Sequence, residues 1–471
     1  MAGIGFRLQQ LTTNGTYFQG AAAYLAAAVI FAGPWVTTVI SLATLGVVSS
    51  RFMSLDASSL LFTSITYVFC ASLILTGAPQ MILARYVADR LYVDDLTVIA
   101  PAWTALLLGT MPILIGISFP FIIFAPFDLS YRLLLASLFL TVSLIWLVMV
   151  FLSAARSYSS ITFGLIVGHA IGLAGATWLA PHYGLLGSLF GFTVGQIICL
   201  TLLASEVLLQ FPTSRIVDFS FLRYVRRFWE LALIGLFYYL GMWIDKFVYW
   251  YSPDGVVVGN LLHSYPKYDA MMLVAYLSTV IASATVLIHI ETRFFRHYQS
   301  FYKGIGDDCS LAELVSIKKQ LVQSVKDGFL AILKVQGIVA GLVMLLAEDI
   351  VGLLGFESAA PLLRIAVLAV SGQFLLLVAV MLLLYLDQRR ATLVVAGLFV
   401  LANGILSLAT LPLGQEFYGL GYLLATVAAS LVAIAFLRDR LSRLEYLTFM
   451  LQPLGTEPRE GLDSRQLTTG E

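Results

Sequence analysis

A carboxylate and an ammonium stand side by side, Asp245 and Lys246, in the run Gly241-Met242-Trp243-Ile244-Asp245-Lys246-Phe247-Val248-Tyr249-Trp250-Tyr251-Ser252-Pro253, which is otherwise apolar and aromatic. Near the centre of a bilayer one charge costs about 3 kcal/mol or more. A charged pair at that depth would line a water-filled path for a polar solute, or Asp245 would carry a coupling proton. Trp243, Phe247, Tyr249 and Trp250 would add flat rings, two kinds of which carry a polar handle. The alternative is that a helix ends here, with Asp245 and Lys246 reaching the interface and Tyr249, Trp250 and Tyr251 forming an aromatic belt. Adjacent residues on a helix point about 100° apart, so the direct partner of Lys246 is expected on another helix.

Other residues offer less specific chemistry. Gly33-Pro34 would kink a membrane helix, because proline removes a backbone donor, and either a hinge or a static bend results. Arg85, Asp89 and Arg90, and Glu291 with Arg293, read as a gate or partner-docking charges at a helix end, or as ordinary ion pairs worth little. His169 and Asn403 would make interhelical hydrogen bonds. No phosphate loop, Gly-rich nucleotide turn or metal-ligand spacing is present, so no catalytic residue, metal or cofactor is expected and the chain reads as a non-enzyme. Cys70, Cys199 and Cys309 form no motif.

The elements that must position these groups follow from composition. Of 471 residues, 60% are apolar and only 11% charged, with a mean hydropathy of +0.92, far from the roughly 25% charged residues of soluble domains. Apolar runs of about 20 residues mark membrane helices. Twelve are expected, six at 18–48, 58–82, 98–125, 131–154, 160–180 and 184–209, and six at 229–251, 269–291, 328–347, 360–386, 391–412 and 418–437. Equal numbers of acidic and basic residues give no argument for nucleic acid. With both termini inside, twenty-one of the 27 Lys and Arg fall on cytoplasmic segments, which the positive-inside rule favours. No removable signal peptide is recognisable at the N-terminus.

The two sets of six resemble each other. Gly33-Pro34-Trp35 recurs as Gly241-Met242-Trp243, and Arg85-Tyr86 as Arg293-Phe294, at one common offset; Tyr183-Gly184-Leu185 recurs as Tyr418-Gly419-Leu420 at a larger one. An insertion of the length of 301–327 reconciles the two offsets. Halves with an even number of spans share one topology, and a transport site is expected between them. The chain thus divides into an N-terminal lobe at 1–210, a cytoplasmic linker at 211–228, a C-terminal lobe at 229–451 carrying the insertion 301–327, and a disordered tail at 452–471. In this alignment Thr37 and Thr38 stand where Asp245 and Lys246 stand. Within the insertion, Ser310-Leu311-Ala312-Glu313 is a capping box ahead of an apolar face of Leu311, Leu314, Val315, Leu321, Val322 and Val325. That face is expected to lie on the membrane or a partner, or else to pack on the helix ends it connects.

Met1-Ala2-Gly3-Ile4-Gly5-Phe6, Gly33-Pro34-Trp35, Arg85 to Tyr92, Ile244 to Pro253 and Glu291-Thr292-Arg293-Phe294 resemble the PelG family, bacterial inner-membrane components of Pel exopolysaccharide export similar to the MATE and polysaccharide-flippase MOP superfamily. The resemblance extends from Met1 to about Leu451. It implies an all-α protein of two six-helix lobes around a central cleft, lined by the first, second, seventh and eighth helices, through which a GalNAc-rich, partly deacetylated polysaccharide (a biofilm polymer) crosses the lipid membrane. It also implies a cytosolic glycosyltransferase and small inner-membrane Pel partners, with a cyclic-di-GMP receptor. For such a substrate the aromatic rings would be faces for sugar C–H groups, and Asp245 would attract cationic amino sugars. Two other functions remain open: an ion-coupled small-molecule or cation antiporter of the same fold, and a non-conducting scaffold for the synthase. The orientation is testable. Reporter fusions after residues 215, 310 and 389 are expected to be active in the cytoplasm and one after residue 254 only outside; the reverse pattern would invert the assignment.

Overall fold

Lipid offers no hydrogen bonds to a peptide group, so an apolar chain crosses it as helix, where each N–H finds a carbonyl in the same segment. The computed structural model describes residues 17–306, 309–356 and 358–450; the expected tail at 452–471 and the first residues lie outside the described ones. The first four spans are Tyr17–Phe52, Leu55–Tyr92, Ile99–Phe124 and Leu129–Ala154. They are followed by a helical stretch, Tyr158–Gln210, of 53 residues. At 1.5 Å per residue it would measure about 80 Å, more than twice a bilayer core. It is broken at Gly184, whose φ of 54° is open to glycine and clashes for other residues, and so supplies the fifth and sixth spans. The other six are Trp229–Trp250, Pro266–Ile305, Leu311–Leu345, Ala360–Tyr385, Arg389–Thr410 and Leu420–Ser442. Gly419, aligned with Gly184 by the sequence repeat, also has a positive φ, 86°, where the twelfth span begins.

The apolar residues form two separate large cores. One draws on positions between Leu45 and Phe221, the other on positions between Tyr238 and Leu444. This is the two-lobed, all-α membrane fold that the hydropathy pattern and the repeat predict. The eighth span is interrupted: helices Pro266–Leu277 and Thr279–Ile288 are followed by a π-helical turn over His289–Phe294 and a last helix, Phe295–Gly306. The amphipathic insertion departs from its membrane-or-partner reading. Its capping box forms, but the helix it starts runs unbroken through the ninth span as Leu311–Leu345. Leu314, Leu321 and Val325 are buried in the C-terminal core together with Phe301, so the chain itself covers most of this face, and Leu311 at its start stays exposed. Lys318 fixes the arrangement by pairing with Glu445 and donating to the Ser442 carbonyl at 2.7 Å.

A small β-hairpin that hydropathy does not reveal joins the seventh and eighth spans. Val256–Val258 pairs antiparallel with Leu262–Ser264, and the chain turns through Gly259 and Asn260, both at φ 60°.

The lobes touch along the first with the eighth span and the second with the seventh. Ala27 meets Ala284, Leu287 and Ile288, and Ile82 meets Phe228, Leu231 and Ile234. The tightest approach is backbone on backbone: a Cβ placed on Gly235 would sit 2.0 Å from the carbonyl oxygen of Gly77. Overpacking a fitted contact typically costs about 1–3 kcal/mol. Gly235→Val is therefore expected to lower the thermal stability of the purified protein, whereas Gly109→Val, where a Cβ meets nothing within 4 Å, should leave it unchanged. Equal stability of the two variants would refute the close crossing.

Candidate functional site

Asp245 and Lys246 belong to the seventh span, and the structure places them inside the C-terminal lobe, 0% and 6% exposed. They stand neither at the interface nor in an open cleft. Asp245 Oδ2 accepts a 2.6 Å hydrogen bond from the Tyr268 hydroxyl on the eighth span, and Oδ1 accepts one of 3.3 Å from Asn403 Nδ2 on the eleventh. The same amide nitrogen donates to the Gly241 carbonyl at 2.8 Å, and Ser407 orients Asn403 by donating to its Oδ1 at 3.0 Å. A buried ion pair gains little net stability unless hydrogen bonds satisfy its remaining lone pairs and protons, and here neighbouring helices supply them.

The expected cross-helix partner for Lys246 is corrected. Its Nζ lies 3.6 Å from Asp245 Oδ2 and donates to the Met242 carbonyl at 3.1 Å. The four-carbon stem folds back one turn along its own helix, which overcomes the divergence of adjacent Cβ vectors. Rings complete its surroundings: Nζ lies 5.2 Å from the centroid of Trp243 on its own helix, and 5.6 Å and 5.8 Å from those of Tyr276 and Tyr422 on the eighth and twelfth spans. The last two hydroxyls are bonded to each other at 3.1 Å.

The remaining aromatics do not form the belt of the alternative reading. Tyr249 is fully buried, stacked on Tyr418 at 4.4 Å, and its hydroxyl accepts from the Gly419 N–H at 2.9 Å. Trp250 is also buried and donates through Nε1 to both oxygens of Asp269, at 3.0 and 2.9 Å. Phe247 packs edge-on against it at 5.5 Å, and Trp243 lies 6.3 Å away. Only Tyr251 at this helix end is well exposed. Across the seam, Tyr67 of the second span stacks on Trp250 at 4.9 Å. Its hydroxyl donates to the carbonyl of hairpin residue His263 at 3.0 Å and accepts from that residue's N–H at 3.3 Å. Gly259 lies against Leu60 and Phe127, so the hairpin, an element of the C-terminal lobe, covers the N-terminal lobe at this end.

At the opposite end a charge network crosses the seam. Arg85 pairs with Asp89 at 3.0 Å and with Asp387 of the other lobe at 3.6 Å. Asp387 pairs with Arg389 at 3.3 Å, and Arg389 with Glu230 at 3.7 Å. The ring of Phe228 lies under both guanidinium groups, at 5.4 and 4.9 Å. Arg90 turns aside to Asp95 at 3.2 Å. Glu291, on the π-helical turn, accepts from the Tyr385 hydroxyl at 3.0 Å, while Arg293 on the same turn is half-buried. Arg156 of the N-terminal lobe lies 5.0 Å over Phe295.

The first span holds four more of the residues expected at the site. Gly33 and Pro34 fall inside its continuous helix, and Thr37 donates to the Gly33 carbonyl at 2.9 Å. Thr38 borders a small cavity within the N-terminal lobe, with Phe69, Trp146 and Gln196. His169 bonds its own helix at Leu165 O, 2.8 Å, rather than a neighbouring one, whereas Asn403 does bridge helices. Tyr67, Tyr268, Asp269 and Asp387 were not singled out from the sequence, since each partner is remote along the chain or lies at a span end. Among the described residues no three His, Cys, Asp or Glu side chains converge as metal ligands would.

The family model described as PelG: Putative exopolysaccharide Exporter (EPS-E) matches residues 1–449. No curated protein matches the chain. Among solved structures, it is similar to a MOP superfamily transporter from Pyrococcus furiosus whose binding pocket is described as of reverse polarity, with 13% identity, TM-score 0.60, and coverage of 89% of this chain and 96% of that one. It is also similar to a multidrug resistance MATE family transporter in an outward-facing conformation, with 13% identity, TM-score 0.61, and coverage of 93% and 98%. For the inward-facing conformation of such a transporter the values are 14%, 0.57, 89% and 99%.

Removing one member of the buried cluster should be costly. Asn403→Leu leaves the Gly241 carbonyl and Asp245 Oδ1 without that donor, a loss of about 1–3 kcal/mol. Asp245→Leu strands a buried ammonium, a loss of about 3–5 kcal/mol. Thermal unfolding of the purified variants is expected to rank them in that order, and a tolerated Asp245→Leu would argue against the burial.

Proposed function

The chain belongs to the PelG family of exopolysaccharide exporters, and from that membership we propose that it passes a Pel-type polysaccharide, GalNAc-rich and partly deacetylated, along the seam between its two lobes. The chain is a multi-pass membrane transport protein of the MOP superfamily fold. The observation that carries the finer reading is how the seam is closed. The lobes have separate large cores, and they are joined at one end by Tyr67, Trp250 and the hairpin and at the other by Arg85 and Asp387. Stitches of this kind, rings and ion pairs on separate elements, part at one end while holding at the other. Sugar units moving between the lobes would meet Tyr67, Trp243, Phe247 and Trp250, whose rings suit the apolar faces of a hexose.

The proposed membrane is the bacterial inner one, with both termini and the Arg85–Asp387 end in the cytoplasm. There the chain works in concert with a cytosolic glycosyltransferase and small Pel partners, including the cyclic-di-GMP receptor, and polymer synthesis is one source of the driving force. The basic linker around Arg223, Arg226 and Arg227 stands at this end, next to the seam.

Cross-linking tests the path. In a background lacking Cys309, cysteines at positions 85 and 387 joined by a cleavable bifunctional maleimide should stop polymer export, and cleavage of the linker should restore it. Undiminished export at complete cross-linking would overturn passage along the seam and leave the scaffold role.

A further inference from the structure

The surroundings of Lys246 form a complete receptor for a primary ammonium. Asp245 provides the charge at 3.6 Å and the Met242 carbonyl an acceptor at 3.1 Å. Trp243, Tyr276 and Tyr422 provide three ring faces within 6 Å of the nitrogen, the range in which a ring quadrupole attracts a cation. The groups that make this box are also held by contacts in which Lys246 has no part. Asp245 is fixed by Tyr268 and Asn403, Tyr276 by Tyr422, and Asn403 by Gly241 and Ser407. The second acidic group near by, Asp269, is engaged by Trp250.

We propose that this box is a cation-binding site which the protein keeps permanently occupied with its own tethered ammonium, so that Asp245 neutralises Lys246 in place of a free ion. Two consequences follow. No soluble cation loads and leaves this site during transport, and cutting back the lysine side chain uncovers a preformed site for a small primary ammonium. The inference rests on the geometry of the C-terminal lobe alone and does not depend on the identity of the transported molecule.

The test uses the full-length protein in detergent. Lys246→Ala removes three carbons and the nitrogen, the atoms of n-propylammonium. At constant ionic strength, n-propylammonium chloride should raise the melting temperature of Lys246→Ala saturably and alter the fluorescence of Trp243, while tetramethylammonium should not. The wild type should show no such response, and Asp245→Asn combined with Lys246→Ala should lose it. An unresponsive Lys246→Ala, or an equal response in the double variant, would overturn the proposal. The wild type gives a second arm that does not depend on recovering the variant. Titration with Na+ or K+ at constant ionic strength should give no saturable stabilisation, and a saturable shift with either ion would refute permanent occupancy by Lys246.

Discussion

A carboxylate without water must be neutralised and hydrogen-bonded where it stands, and the C-terminal lobe is built around meeting that demand at Asp245. Its partners come from the same turn of the seventh span and from the eighth and eleventh, while the ring of Tyr422 on the twelfth closes over the lysine. Four helices are therefore held in register by one buried pair, with Asn403 additionally tying the eleventh span to the Gly241 carbonyl. The N-terminal lobe has Thr37 and Thr38 in the corresponding place, and a hydroxyl in a helix can satisfy itself locally, as Thr37 does on Gly33. Two lobes of common topology are thus fastened by different means. Both have large apolar cores, and the C-terminal lobe adds the ionic centre.

That difference bears on the seam. The charged pair at its margin, Arg85 with Asp387, is part-exposed and exchanges partners at modest cost, since exposed ion pairs contribute about a kcal/mol or less. The buried pair behaves oppositely, because separating its members inside lipid is expensive. The ionic centre accordingly ties the C-terminal lobe together, and in the proposed transport the marginal contacts are where it would part from its neighbour.

Much of this was legible in the sequence, for stateable reasons. Twelve spans followed from run length, because a lipid core of fixed thickness demands a fixed number of apolar residues. The repeat was legible because turns need particular residues: Gly184 and Gly419 share a positive φ, and Tyr86 and Phe294 are both buried. The charged pair could be singled out from its cost alone. What escaped was direction. Whether Asp245 looked into a cleft or into its own lobe depended on Tyr268 and Asn403, 23 and 158 residues away. The alternative of an aromatic belt failed for a related reason: Tyr249 and Trp250 have polar tips that other residues, Thr410 and Asp269, can engage as well as an interface does. The hairpin went unseen because three-residue strands leave no periodicity to read, and the insertion's apolar face found its cover in Phe301, a residue just upstream.

The contact between Gly77 and Gly235 has a mechanical meaning. Along the second span, Gly77 stands ten residues from Tyr67 and eight from Arg85, distances of about 15 Å and 12 Å on a helix. Backbones that already touch leave no slack to slide together, so in the proposed movement along the seam this crossing would be the point about which the lobes rock. It would then be a fulcrum with two arms of similar length. In that movement a tilt that lifts Arg85 from Asp387 would press Tyr67 onto Trp250, and the opposite tilt would reverse both. Mutual exclusion of the two openings would then come from leverage across a pair of hydrogen-sized side chains, with no signal relayed between the ends.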